Sequence, residues 1–295
     1  MNDQAERLRI LARNLREQVS EEIKGKPGVS RILAVTSGKG GVGKTNLSLN
    51  LALAMIDYGC RVLLLDADMG TANVDIILGI APKYNFYHVI EGRKRLADII
   101  VEGPKGLKIV PGASGIRELA NLQPYRIEQL LLDLKKVEQM TDLMIIDTGA
   151  GVSDSVIKFL LIADEVIVLT TPEPTSLTDA YALIKILNYE KKDLNLRLVV
   201  NRVRNEKEGS MVAQNLQTVS RKYLEVDMEF AGYILNDSVV SESVRRQEPF
   251  VLAYPKAPAT NCVYLLAAHL CQLEHKKPVL RPVSFLQKIQ NIFCH

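Results

Sequence analysis

Eight consecutive residues, Gly38-Lys39-Gly40-Gly41-Val42-Gly43-Lys44-Thr45, constrain this chain more than any other feature. Glycines at 38, 40, 41 and 43 let the backbone turn so tightly that successive N–H groups converge on one point. An apolar, β-branched run from Ile32 to Val35 leads into the loop, and an apolar helical stretch from Asn46 to Ile56 leaves it. A strand, a glycine loop and the positive N-terminal end of a helix together form a cradle for phosphate. Within it Lys44 is placed to reach β- and γ-phosphates and the Thr45 hydroxyl to bind Mg²⁺. The expected nucleotide-binding set runs from Gly38 through Asn46.

The same letters also satisfy a dinucleotide fingerprint, with Gly38, Gly40 and Gly43 correctly spaced and Asp66 following about twenty residues later. A dinucleotide loop has no need of Lys-Thr directly after its last glycine, because its helix must pack closely on the sheet. A second strand-end carboxylate, Asp147, suits metal binding in a nucleoside triphosphatase. The phosphate-loop reading is therefore preferred, with ATP or ADP and Mg²⁺ as ligands.

Val62 to Leu65 runs into Asp66, Leu107 to Val110 into Pro111, Leu143 to Ile146 into Asp147, Val166 to Leu169 into Thr170, and Leu196 to Val200 into Asn201. Apolar runs without polar alternation are what strands buried on both faces look like. Helical stretches at Ile127 to Met140, Val156 to Ile162, Thr175 to Tyr189 and Asn261 to Leu273 lie between or after them. Alternating strands and helices predict an α/β fold with a doubly wound, mostly parallel sheet. Ligands in such sheets sit at the carboxyl ends of the strands, where Thr36, Asp66, Asp147, Thr170 and Asn201 fall. With 295 residues, 47% of them hydrophobic, one large domain with short appendages is affordable.

The formal net charge of +3 does not by itself argue for nucleic acid. No sequence-specific nucleic-acid partner is expected, since acids are interspersed among Arg93-Lys94-Arg95, Lys191-Lys192 and Arg245-Arg246. There is no charged-then-apolar leader and no apolar run long enough to span a bilayer, which points to the cytoplasm. Cys60, Cys262, Cys271 and Cys294 show no Cys-x-x-Cys pair and read as thiols of an intracellular protein.

The second lysine of the loop, Lys39, makes it similar to the deviant Walker A motif, Lys-Gly-Gly-x-Gly-Lys-Thr, of the MinD/ParA/nitrogenase-iron-protein class of P-loop ATPases. Leu65-Asp66-Ala67-Asp68-Met69-Gly70-Thr71-Ala72-Asn73-Val74-Asp75 resembles the first switch of MinD-type members. Ile145-Ile146-Asp147-Thr148-Gly149-Ala150-Gly151 resembles the second, and the resemblance covers about residues 30 to 270. It implies an ATP-held homodimer in which Lys39 crosses a two-fold interface to the phosphates of the partner subunit. It further implies that Asp68 positions the attacking water and that Asp147, with Asp66 nearby and the Thr45 hydroxyl, serves Mg²⁺. Lys39, Lys44 and Asp68 are thus the implied catalytic set. The adenine base is expected near Asn201-Arg202 and Asp237, where Leu235-Asn236-Asp237 departs from the Pro-x-Asp common in MinD. Between Arg61 and Asn261 there is no cysteine, which excludes the iron–sulphur branches.

Both ends add appendages. Leu8, Leu11, Leu15 and Val19 recur at helical steps between charged residues, and Gly25-Lys26-Pro27-Gly28 stops the pattern. Asp3-Gln4-Ala5-Glu6-Arg7-Leu8-Arg9 resembles the activator motif of the FlhG (YlxH, FleN) family, which controls flagellar number and placement. The implied partner contacts are Asp3, Gln4, Leu8 and Arg9, the implied partner is an FlhF-type GTPase, and flagellar basal-body components are implied as further partners. A helix lying back on its own body would share the same apolar stripe. At the other end Val283, Phe285, Leu286, Ile289, Ile292 and Phe293 fall on one helical face, resembling a membrane-targeting helix. One such helix binds marginally, whereas two on an ATP-held dimer bind together, giving reversible peripheral attachment. The stripe could also pack on the protein's own surface. The expected division is residues 1–28, an ATPase domain at 29–275, and a tail at 276–295. A division-site or partitioning ATPase of the MinD or ParA kind is the alternative.

Overall fold

The computed structural model describes residues 31–68, 73–112, 133, 136, 137 and 140–272. The N-terminal segment, the C-terminal segment, Met69 to Ala72 and most of the expected helix at Ile127 to Met140 lie outside the described residues. So do all the expected partner and membrane contacts, namely Asp3, Gln4, Leu8, Arg9, Phe285, Leu286, Ile289, Ile292 and Phe293.

Each expected apolar run is a strand. Arg31–Ser37 (β1), Val62–Ala67 (β2), Lys108–Val110 (β4), Leu143–Ala150 (β5), Glu165–Thr170 (β6) and Leu196–Val203 (β7) pair in parallel, joined by Glu229–Leu235 (β8). A two-residue strand, Val101–Glu102 (β3), pairs antiparallel with β4 at one edge. The spatial order is β3-β4-β2-β5-β1-β6-β7-β8, so β1 lies at the centre with later strands on both sides. That reversal opens a crevice beyond the carboxyl end of β1, where α/β sheets bind ligands.

Side chains alternate across the pleat into two apolar layers. Leu33, Val35, Leu64, Ile145, Ile167 and Val199 face Lys44–Asp57 (α1) and Pro258–Gln272 (α10), meeting Leu49, Leu53, Val263 and Leu266. Ile32, Ala34, Leu63, Ile146, Val168 and Leu198 face Asp154–Ile162 (α5), Pro174–Glu190 (α6) and Glu206–Leu224 (α7). Leu33, Leu49, Leu51, Leu53 and Leu64 are completely buried, and each contributes about 1.5–3 kcal/mol of transfer free energy. Short helices Asn73–Leu78 (α2), Phe86–Ile90 (α3) and Leu96–Ile99 (α4) follow β2, while Ser238–Arg246 (α8) and Phe250–Ala253 (α9) lead into α10.

The amino ends of the strands carry a chain of charges. Arg31 Nε donates to Glu165 Oε1 at 2.8 Å, and Arg197 pairs with the same carboxylate while its Nη1 donates to Glu229 Oε2 at 2.7 Å. His269 Nε2 lies 2.8 Å from Glu229 Oε1, and Arg31 Nη1 donates to the Leu270 carbonyl at 2.8 Å, so the chain also fastens the end of α10. Arg197 and Glu165 are buried, and a buried charge that loses its partner costs far more than a surface one.

Replacing Arg197 with Ala should therefore lower unfolding free energy by about 3 kcal/mol in urea titrations followed by circular dichroism. Arg204→Ala, which breaks an exposed pair with Glu208, should change it by less than about 1 kcal/mol. Similar small losses in both variants would show that the strip contributes no more than a surface pair.

Candidate active site

The loop after β1 is built by close approaches that tolerate only glycine. A Cβ on Gly38 would stand 2.2 Å from the Asp179 carbonyl oxygen of α6, and one on Gly43 would stand 2.6 Å from Asn201 Nδ2. Gly41 and Gly43 have φ of 76° and 101°, a region where a side chain is strained. The Ser37 hydroxyl donates to the Lys39 carbonyl at 2.7 Å, tightening the turn as it leaves the strand.

From the far side of the loop, Asn201 Nδ2 donates to the Val42 carbonyl at 2.7 Å and Arg202 Nη2 to the Gly41 carbonyl at 2.7 Å. Arg202 itself takes a left-handed φ of 58°, and its N–H donates to Asn201 Oδ1 at 2.8 Å. The two residues expected beside the base thus turn loop carbonyls outward. Turning a carbonyl outward turns the next N–H inward, toward a phosphate. Helix α1 starts at Lys44 with no acidic residue in its first turn and no side-chain cap on its N–H groups, so its positive end opens into the same cradle. Asn46 lies in that first turn.

Lys44 is buried. Desolvation depresses its pKa, against the opposing charges of Asp147 and Asp68. Asp147 and Asp66 are register neighbours on β5 and β2, both fully buried. Asp147 Oδ1 accepts from the Ser48 hydroxyl at 2.9 Å, and the Thr45 side chain next to the same carboxylate favours its ionised form. Its Oδ2 has no partner among the described residues. Burial, helped by the Asp68 charge and opposed by Thr45, Ser48 and Lys44, pushes Asp147 up to about 6. Burial and then the charge of Asp147 push Asp66 up to about 7, although Asp66 accepts the Asp68 N–H at 3.1 Å and the Val74 N–H at 3.4 Å.

Two buried carboxylates resisting ionisation, an unpartnered carboxylate oxygen and an adjacent hydroxyl form an all-oxygen donor set that fits Mg²⁺. A bound dication would favour the ionised form of both acids. Asp68 stands over the backbone of β5, its Oδ1 3.4 Å from where a Gly149 side chain would begin.

Lys39 points elsewhere. Its amine donates to Glu173 Oε2 at 2.9 Å and to the Thr175 hydroxyl at 2.8 Å, at the start of α6, and its hydrogen bond and then its charge hold the Glu173 carboxyl below the usual range. The ion pair is well exposed, 37% for Lys39 and 56% for Glu173. Asp237 caps α8, accepting the Val239 N–H at 3.2 Å, and ties it to α10 by accepting the Ala259 N–H at 3.3 Å. The structure therefore gathers Lys44, Thr45, Asp66, Asp68 and Asp147 at one point, sets Asn201 and Arg202 against the loop, and leaves Lys39 at the rim. Sequence reasoning omitted Ser48, Glu173 and Thr175. Ser48 lies one helical turn beyond Lys44, a spacing that could have signalled it.

The sequence profile of the AAA domain family matches residues 30–200. The chain is 43% identical over 230 residues to the antiactivator FleN of Pseudomonas aeruginosa, covering 78% of this chain and 82% of that one. It is 37% identical over 249 residues to the flagellum site-determining protein YlxH of Helicobacter pylori, covering 84% and 83%. Among solved structures, the septum site-determining protein MinD of Pyrococcus horikoshii, complexed with Mg-ADP, superposes with a TM-score of 0.68 at 26% identity, covering 85% of this chain and 100% of that one.

If Asn201 sets the loop, Asn201→Ala should weaken ADP binding about tenfold, the effect of one hydrogen bond of roughly 1.4 kcal/mol. Calorimetry checks this, with thermal unfolding of the nucleotide-free variant as the control for folding. Unaltered ADP affinity would show that the loop holds its shape without this bond.

Proposed function

This chain belongs to the FleN/YlxH family of MinD/ParA-type P-loop ATPases, and from that premise we propose that it regulates the number and placement of bacterial flagella through an ATP-dependent dimer. It hydrolyses ATP, and the observation that carries the dimer reading is the pair of lysines in one loop. Lys44 is buried, whereas Lys39 is exposed at the rim and, among the described residues, held by Glu173 and Thr175.

Loop N–H groups and Lys44 bind the β- and γ-phosphates and stabilise charge that develops on the transferred group. Thr45 and Asp147, with Asp66 behind them, would hold Mg²⁺, which would neutralise phosphate charge when bound. Asp68 orients the attacking water. Lys39 exchanges Glu173 and Thr175 for the phosphates held by a second copy, so that the nucleotide joins the two subunits. The adenine lies toward Asn201, Arg202 and Asp237, on the far side of the loop.

The appendages give the dimer its outputs. Residues 1–28, through Asp3, Gln4, Leu8 and Arg9, stimulate an FlhF-type GTPase. The tail, through Phe285, Leu286, Ile289, Ile292 and Phe293, attaches the dimer reversibly to the membrane from the cytoplasm, and basal-body components engage the ATPase body. Among the described residues no helix is long and apolar enough to cross a membrane.

Removing residues 1–28 should leave ATP hydrolysis intact and abolish stimulation of GTP hydrolysis by an FlhF-type GTPase. No stimulation by the full chain would turn the reading to a division-site or partitioning ATPase. For the tail, liposome sedimentation should require ATP and fail for Phe285→Asp. Strong binding that ignores both nucleotide and that substitution would remove the tail from the mechanism.

A further inference from the structure

Cys60 and Cys271 are 211 residues apart in sequence, yet their Sγ atoms lie 4.0 Å apart. Cys60 follows α1 and precedes β2, and its N–H donates to the Met55 carbonyl at 3.2 Å, fixing it against the end of α1. Cys271 stands in the last turn of α10, two residues beyond His269, which holds that turn to Glu229. The joint around them is firmly packed. The Tyr58 and Tyr264 rings meet edge to face at 6.3 Å, the Tyr58 hydroxyl donates to the Tyr264 carbonyl at 3.2 Å, and the Tyr264 hydroxyl donates to Asp57 at 2.5 Å. Cys60 is buried and Cys271 is partly exposed, so a small oxidant meets Cys271 first.

We propose that Cys60 and Cys271 are a reversible disulfide pair, closed by a hydroperoxide and opened by a small thiol, that staples the end of α10 to the end of the phosphate-loop helix. The Cys271 thiolate attacks a peroxide oxygen, the O–O bond breaks, and a sulfenic acid forms with release of water. The Cys60 sulfur then attacks the Cys271 sulfur, the S–S bond forms, the S–O bond breaks, and the departing hydroxide leaves as water with the Cys60 proton. Two thiols lose two electrons and one hydrogen peroxide yields two waters. The sulfurs must approach by about 2 Å to reach bonding distance, a movement of side chains and of one helical turn.

The consequence follows from position. α1 begins at the phosphate loop, β2 carries Asp66, and α10 is the element from which the tail departs. Closing the pair fixes the root of the tail to the ATPase core. A crosslink spanning so long a stretch also constrains the unfolded chain strongly, so the oxidised protein should melt on the order of 5 °C higher. Cys262 is buried in the other part of α10, where desolvation raises its thiol pKa, and it takes no part.

The test oxidises the full chain with hydrogen peroxide, alkylates the remaining thiols, and maps crosslinked peptides by mass spectrometry. The expected result is a Cys60–Cys271 peptide pair, loss of two titratable thiols, a higher melting temperature, and full reversal by dithiothreitol. Both effects should vanish in Cys271→Ser and in Cys60→Ala and persist in Cys294→Ser. Capture of Cys271 by Cys294, overoxidation of Cys271 without a crosslink, or a crosslink that leaves the melting temperature unchanged would overturn the proposal.

Discussion

Burying Lys44, Asp66 and Asp147 at the carboxyl end of the sheet is the constraint on which the rest of this molecule depends. Each is buried, and each resists its charged form, the two acids up to about 7 and 6 and the amine downward. Such a cluster persists only because every group has some compensation: Ser48 and Thr45 on Asp147, backbone N–H groups on Asp66, two carboxylates facing Lys44. The compensation is incomplete, as the unpartnered Oδ2 of Asp147 shows. On the proposed reading, a triphosphate with its cation would supply the missing charge where glycine backbone and helix end converge. Binding energy is therefore concentrated where the fold is least satisfied without ligand.

The exposed lysine obeys opposite physics. A surface ion pair such as Lys39–Glu173 contributes about 0–1 kcal/mol, screened by salt and offset by side-chain entropy. It holds Lys39 clear of its own subunit's cradle at almost no energetic cost to leaving. In the proposed dimer, phosphates of a second copy, carrying several negative charges in a dry interface, would outcompete one carboxylate in water. In the proposed dimer, two lysines five residues apart in one loop would serve two subunits because one is buried and the other is not.

The strands that make this site were legible because burial on both faces forces uninterrupted apolar runs, and the loop because few arrangements need four glycines and two lysines. β8 escaped because Glu229–Leu235 is an edge strand with partly exposed residues and a glycine at φ 155°. α7 escaped because its buried face is built from small residues, Gly209, Ala213 and Ser220, among only two larger ones, Val212 and Leu216. The bonds from Asn201 and Arg202 to the loop span some 160 positions, and Lys39 meets Glu173 across 134. No local pattern encodes such meetings; they exist only once β1, β6 and β7 lie side by side. The cysteines read as unrelated thiols for the same reason.

The central claim is that ATP joins two copies through Lys39, and sedimentation velocity tests it most directly. With Mg-ADP the full chain should sediment as a monomer of 32.8 kDa, and with Mg and a slowly hydrolysed ATP analogue at twice that mass. Lys39→Ala should remain monomeric with the analogue while still binding ADP. An analogue-dependent dimer that forms equally well without Lys39, or a mass indifferent to nucleotide, would contradict the account.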